Sequence, residues 1–276
     1  MTEIAMRTMV YLCLCVALVV LFSRPVLAGE TTVGDELQGF SSRLLDEAAD
    51  FAATPFTLQE GNLFWTAGIA GAIGLTYLYD AEIRDQLQGS VRSRGMNRAT
   101  DAGELLGNPY LHLGLAAAVY AGGLWADSPK WQQTGEMMVE ALVLADGATL
   151  LLKQGIGRGR PSATADKGDF KPFGFKSEYD ALPSMHTASS FALASVLART
   201  SDSLPVAVAS YTAATFVGFS RMYQNKHWAS DVLLGAAIGE LAGRVVTAFH
   251  ADKERRLVIL PGVGSQAVTM NLRYRF

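Results

Sequence analysis

Cysteine is almost missing: the 276 residues contain two, Cys13 and Cys15, and both fall inside the first apolar run. The remainder of the chain therefore has no disulfide framework, and a chain of this length builds a core large enough to do without one. Charge is scarce too, at 18% of residues against 50% hydrophobic. That balance excludes a disordered chain and leaves a large helical core or membrane helices. A net charge of −3 offers no basic field, so no nucleic-acid partner is expected. Histidine is limited to His112, His186, His227 and His250, which leaves imidazole chemistry few places to sit. Internal repeats and low-complexity segments are absent.

The N-terminus reads as an export signal over residues 1–28. Arg7 gives a weakly basic start, Met9 to Phe22 form an apolar run short for a bilayer, Arg24-Pro25 breaks it, and Val26-Leu27-Ala28 offers a cleavage site. Neither cysteine follows the small residues a lipoprotein signal needs. Export to a bacterial periplasm is expected, with an uncleaved anchor as the alternative.

Beyond the leader, residues 29–61 form an N-terminal helical segment, with Leu44, Leu45, Ala48, Ala49 and Phe51 at helical spacing and Pro55 as its stop. The main domain, 62–252, holds six apolar helices: Leu63 to Tyr79, Tyr110 to Trp125, Met137 to Leu152, Thr187 to Arg199, Pro205 to Phe219 and Trp228 to His250. The charged stretch Asp80 to Arg98 reads as a solvated helix and turn. In the tail, 253–276, Leu257 to Leu260, a Pro261-Gly262 turn and an alternating run ending in Phe276 read as a β-hairpin. The fold class is all-α, a bundle of about six core helices with this hairpin appended.

Three polar runs interrupt the apolar pattern. In KQGIGRGRP, Lys153 closes a helix and Arg160 sits on a Gly-rich loop, so both cations can converge on one anion. In PSMH, Ser184, Met185 and His186 open a helix, whose unpaired N–H groups and positive dipole end suit a phosphate. In SRMYQNKHWASD, Arg221 precedes His227 and Asp231, which share a helical face, so the carboxylate can hold one ring nitrogen protonated and free the other to attack. Each run read alone also fits a structural role: dipole compensation, an N-cap, a surface His-Asp pair. His112 reads as a core residue, and His250 as a cation ending the last helix.

Together and in order, the three runs resemble the type 2 phosphatidic acid phosphatase (PAP2) superfamily, which includes class A acid phosphatases and relatives of vanadium haloperoxidases. Its pattern is Lys, six residues, Arg-Pro; Pro-Ser-Gly-His; and Ser-Arg, five residues, His, three residues, Asp. Every fixed position matches except Met185, where the family has Gly. The resemblance covers about residues 60 to 250. It implies a PAP2-like helical fold and a phosphatase that needs no metal or cofactor. His227 would form a phosphohistidine assisted by Asp231, and His186 would protonate the leaving oxygen. Lys153, Arg160, Ser184, Met185 and Arg221 would bind the phosphate. The substrate would be a phosphorylated lipid or a small phosphate ester. A phosphotransferase using the same intermediate, a vanadate-dependent haloperoxidase and a non-catalytic phosphate-binding protein are the alternatives.

The first five apolar helices read as 13 to 17 residues long, short of the roughly 20 that a span takes, and the six are interrupted by Gly, Asp and Glu. The expectation is therefore an exported domain associated with a membrane surface, the integral membrane protein being the alternative.

Overall fold

A computed structural model describes residues 33–58, 61–89, 92–255, 258–264 and 267–273. The leader and Phe276 lie outside the described residues. Nine α-helices are seen among them: α1 Val33–Ala53, α2 Asn62–Leu78, α3 Asp80–Gly89, α4 Arg94–Leu106, α5 Pro109–Trp125, α6 Pro129–Ile156, α7 Met185–Thr200, α8 Leu204–Tyr223 and α9 Ala229–Arg255. The bundle is all-α. Strands β1 (Val258–Gly264) and β2 (Ala267–Arg273) pair antiparallel, with Gly264 opposite Ala267. Pro261 and Gly262 fall inside β1 rather than at its turn, which a two-stranded ribbon permits because both strands are edges.

Local chemistry sets the helix starts. Ser93 accepts the Met96 N–H at 3.1 Å and Asn108 the Tyr110 N–H at 2.9 Å, while Pro109, Pro129 and Pro205 open α5, α6 and α8 where a missing N–H costs nothing. Pro55 lies in a short 3-10 turn, Thr54–Phe56, that ends α1. Of the α1 residues, Phe40, Leu44, Ala48 and Phe51 pack on the core, whereas Leu45 points to the outside.

The core is the triangle of α6, α7 and α9. Met138, Ala141, Leu142 and Ala145 meet Ala188, Ala192 and Val196, with Ala242 and Val246 closing the cluster. The side chains are small because the helices are close: a Cβ on Gly239 would lie 2.1 Å from the Ala188 carbonyl oxygen, and one on Gly235 2.5 Å from that of Ser184. This close seam brings the starts of α7 and α9 together, and the Ser184 N–H donates to the Asp231 carbonyl at 3.0 Å.

Three expectations change. Asp80 to Arg98 is two helices rather than a solvated helix and turn, and Asp80 is fully buried, because a buried arginine awaits it. His250 does not end its helix: α9 continues to Arg255, and His250 is buried against Glu140 at 2.7 Å. The helices are also longer than read, 28 residues for α6, 20 for α8 and 27 for α9, because neighbours cover the polar residues that seemed to interrupt them. Among the described residues one stretch, Ala229–Ala251, is long and apolar enough to cross a membrane.

By contrast, α2 has no buried residue, although it carries no charged side chain; Phe64 is 75% and Trp65 69% exposed. It touches α9 across a cleft of about 400 Å³ lined by Trp65, Ile69, Ile73, Leu234, Ile238 and Leu241.

Candidate active site

The site forms where the C-terminal ends of α6 and α8 meet the N-terminal ends of α7 and α9. Helix α6 ends at Gly157, whose φ of 63° is left-handed and whose missing side chain lets Lys171 in; a Cβ there would sit 2.0 Å from the Lys171 carbonyl. Two backbone bonds then zip the loop together, Lys171 N–H to Gly157 C=O at 2.7 Å and Gly159 N–H to Asp169 C=O at 2.8 Å. The fold-back brings both cations of the first run to Asp180. The Lys153 ammonium donates to the Asp180 carbonyl, and Arg160 Nε to its carboxylate at 2.5 Å.

Arg221, in the last turn of α8, is 3% exposed. Its Nη1 donates to Gln224 at 2.8 Å and lies 3.5 Å from Glu104, while its buried Nε–H has no hydrogen-bond partner among the described residues. A buried, unfilled donor on a permanent cation is what an anion site presents before its anion arrives.

His227 is buried on the loop between α8 and α9. Its Nδ1 lies 2.6 Å from the Ala181 carbonyl, which can only accept, so Nδ1 carries the proton and Nε2 has a free lone pair in the neutral ring. Asp231 Oδ2 is 3.8 Å from Nδ1, and its hydrogen bonds go elsewhere: Oδ2 accepts the Trp228 N–H at 2.8 Å and Oδ1 accepts Arg158 Nη1 at 2.6 Å. The orienting bond to His227 therefore comes from a backbone carbonyl, with Asp231 as a nearby charge.

The electrostatics are those of a cation-rich pocket. Burial first, then Lys153, Arg160 and Arg221, hold the His227 pKa well below its ordinary value, so the ring is neutral at physiological pH. His186, at the start of α7, is also held well below by burial and then by Arg221, His227 and Lys153. Burial lowers Lys153 to about 8 and raises Asp231 to about 6, the latter against the pull of Arg158.

At the α7 start, the first helical bond runs from Ala188 N–H to Ser184 C=O at 3.0 Å, which leaves the N–H groups of Met185 and His186 ahead of it. The Ser184 hydroxyl accepts from Thr187 at 2.9 Å. Met185 is not among the residues with left-handed φ, so its backbone does not require glycine. Lys153, Arg160, Arg221, His186, His227 and Asp231 thus converge with the Ser184 turn in one place.

Sequence reading missed Arg158, Asp80 and the Ala181 carbonyl. Arg158 was in view as the middle cation of KQGIGRGRP, but nothing local marks it as buried. Asp80 has no signal, because it opens a charged stretch. His112 is a core residue as read, with Nε2 donating to Leu106 C=O at 2.7 Å and Nδ1 accepting from Ser189 at 2.9 Å.

A helical bundle that gathers two histidines and three cations at one end presents a site suited to an anion. The PAP2 superfamily model matches residues 137–255, which run from within α6 to the end of α9 and contain every predicted site residue. A lipid A 1-phosphatase of Porphyromonas gingivalis is 40% identical over 116 residues, a match spanning 40% of this chain and 23% of that protein. The fold is similar to the crystal structure of Aquifex aeolicus LpxE, with TM-score 0.51 and 21% identity over 61% of this chain and 94% of that one. A crystal structure of a transmembrane PAP2 type phosphatidylglycerolphosphate phosphatase from Bacillus subtilis aligns with TM-score 0.49 and 22% identity over 78% and 97% of the two chains.

Proposed function

We propose that the chain hydrolyses phosphate from a phosphorylated lipid through a phosphohistidine on His227. The observation that carries this is the fixed tautomer: the Ala181 carbonyl takes the Nδ1 proton, so a neutral ring offers its Nε2 lone pair in a pocket held by Lys153, Arg160 and Arg221. Nε2 attacks phosphorus and the P–O bond to the lipid breaks, with His186 giving its proton to the leaving oxygen. Water then attacks phosphorus, His186 takes a proton from it, the P–N bond breaks with its electron pair returning to Nε2, and inorganic phosphate leaves. His186 is unprotonated in the free site because of its burial and then of its cationic neighbours. A phosphate dianion between Lys153 and Arg221 offsets them, and His186 gains its proton as substrate binds. The cations and the N–H groups of Met185 and His186 stabilise the transferring group, which is the main task of such a site.

The surface around the site supports a lipid substrate. Leu150, Leu151 and Leu152, next to Lys153, are exposed, and in the loop tied to the end of α6 Phe173 is 68% and Phe175 75% exposed. These exposed apolar side chains, like those of α2, suit a membrane surface. The lipid A 1-phosphatase relative is in keeping with this. The test is turnover of lipid phosphates and p-nitrophenyl phosphate by the wild type and His227→Ala, with and without EDTA. Loss of hydrolysis in the variant and none with EDTA is expected; a fully active His227→Ala sinks the proposal.

A further inference from the structure

Arg158 has no exposed surface and uses four of its N–H groups. Nη1 donates to Asp231 Oδ1 at 2.6 Å and to Ser230 Oγ at 2.8 Å, Nη2 to Asp80 Oδ2 at 2.8 Å, and Nε to the Lys167 carbonyl at 3.0 Å. Its guanidinium lies 4.9 Å from the Tyr77 ring centroid and 5.3 Å from that of Trp228. Asp80 is held in turn by the Ser230 N–H at 2.9 Å and the Ser230 hydroxyl at 2.5 Å. The backbone of the same arginine reaches the histidine by another route: its carbonyl accepts the Ala181 N–H at 3.0 Å, and the Ala181 carbonyl accepts the His227 Nδ1–H at 2.6 Å. Both groups that face Nδ1 of His227, the Ala181 carbonyl and Asp231, are therefore fastened by one residue.

We infer that Arg158, braced by Asp80, is the positioning residue that fixes the orientation of His227 and holds Asp231 in place beside it. The inference rests on the phosphatase reading of the site. Arg158 touches neither His227 nor the phosphate pocket, so it acts through its neighbours. A buried arginine between two buried aspartates is costly unless all three are held, and removing it leaves both carboxylates uncompensated. Asp80 lies on α3, outside the stretch the family model matches, so the brace is built from a part of the chain that the site motifs do not include.

The charged groups facing Asp231 are Arg158 from the loop, Lys153 from α6 and His227, with Asp80 across the guanidinium. Opposite changes should therefore move the acidic limb of the pH profile in opposite directions. Arg158→Gln removes the largest charge that opposes burial of Asp231, leaving the Trp228 N–H and Lys153, and should raise the pH at which kcat/KM is lost. Asp80→Asn removes an anion and should lower it. Arg158→Lys keeps the charge without the two-pronged grip, so its limb should stay near that of the wild type. In Arg158→Gln, kcat should fall about 100-fold with KM nearly unchanged, as for a small misplacement of a reacting group. Arg158→Lys should recover part of this.

The experiment is kcat and KM across pH 4 to 9 on p-nitrophenyl phosphate for wild type, His227→Ala and the three variants, with circular dichroism to confirm folding. Opposite limb shifts carry the proposal. Should Arg158→Gln fail to fold, Asp80→Asn and Arg158→Lys decide it. A dead His227→Ala beside variants with the wild-type limb and kcat overturns the role of Arg158 and leaves the phosphatase reading standing. A His227→Ala as active as wild type overturns both.

Discussion

The bundle buries charge at both ends, and the two clusters differ in how they are balanced. At the far end, Glu140 sits 13 positions before Lys153 on α6, about 20 Å along the axis at 1.5 Å per residue. There Arg43 donates to Glu140 at 3.2 Å, and His250 lies 2.7 Å from Glu140 and 3.7 Å from Glu47. Two carboxylates face one arginine and one histidine, each contact made within the protein. At the site end, Arg158 is matched by two aspartates, but Lys153 donates to a carbonyl with Asp180 and Asp231 only as nearby charges, and the Arg221 Nε–H meets nothing among the described residues. The difference separates a cluster that holds helices together from one that has cationic capacity left for a ligand.

The largest break in this comparison comes from His227→Ala, which should take turnover to background, a loss on the order of 10⁵-fold, with the thermal midpoint little changed. Glu140→Ala should do the reverse. It strips Arg43 and His250 of their shared partner and should cost about 3 kcal/mol of stability, at the low end for a broken buried pair because Arg43 is partly exposed. Denaturant unfolding checks the first effect and kcat the second, which should stay at the wild-type value. A fall in kcat at full folding would mean that the two ends are coupled.

A smaller effect tests Lys153. Lys153 has its pKa depressed to about 8, so in the free protein it is charged below that pH and neutral above it. Phosphate affinity should weaken as pH rises through about 8, seen as a basic limb in kcat/KM, which reports the free enzyme. Lys153→Arg keeps its charge at every accessible pH and should flatten the limb. A limb that survives in Lys153→Arg would assign it to another group.

These differences also explain what could be read from the chain. The six apolar helices were legible because apolar runs bounded by Pro, Gly and Asp have few other solutions. Lys153, Ser184, His186, Arg221 and His227 were legible because they lie at fixed spacing beside helix ends, where local sequence sets geometry. Arg158 and Asp80 were not, since their meaning is a contact 78 positions apart that no local period encodes. His250 and Glu140 were hidden in the same way, 110 positions apart. The Ala181 carbonyl was invisible because any residue there supplies one, and only the fold-back of the loop aims it at His227.

Met185 gives the smallest expected effect. It stands where the family has glycine, and glycine would matter if the backbone needed a left-handed φ or if a side chain there blocked the phosphate. The first condition is absent: Met185 is the first residue of α7, outside the left-handed region, and its N–H stays ahead of the first helical bond. The side chain is only partly buried, so it has somewhere to go other than the anion pocket. Met185→Gly should therefore change turnover of p-nitrophenyl phosphate by less than about 3-fold and cost at most about 1 kcal/mol, the ordinary penalty of glycine in a helix. A gain of tenfold or more would show that the methionine restrains the site, and would move it from the helix start into the walls of the phosphate pocket.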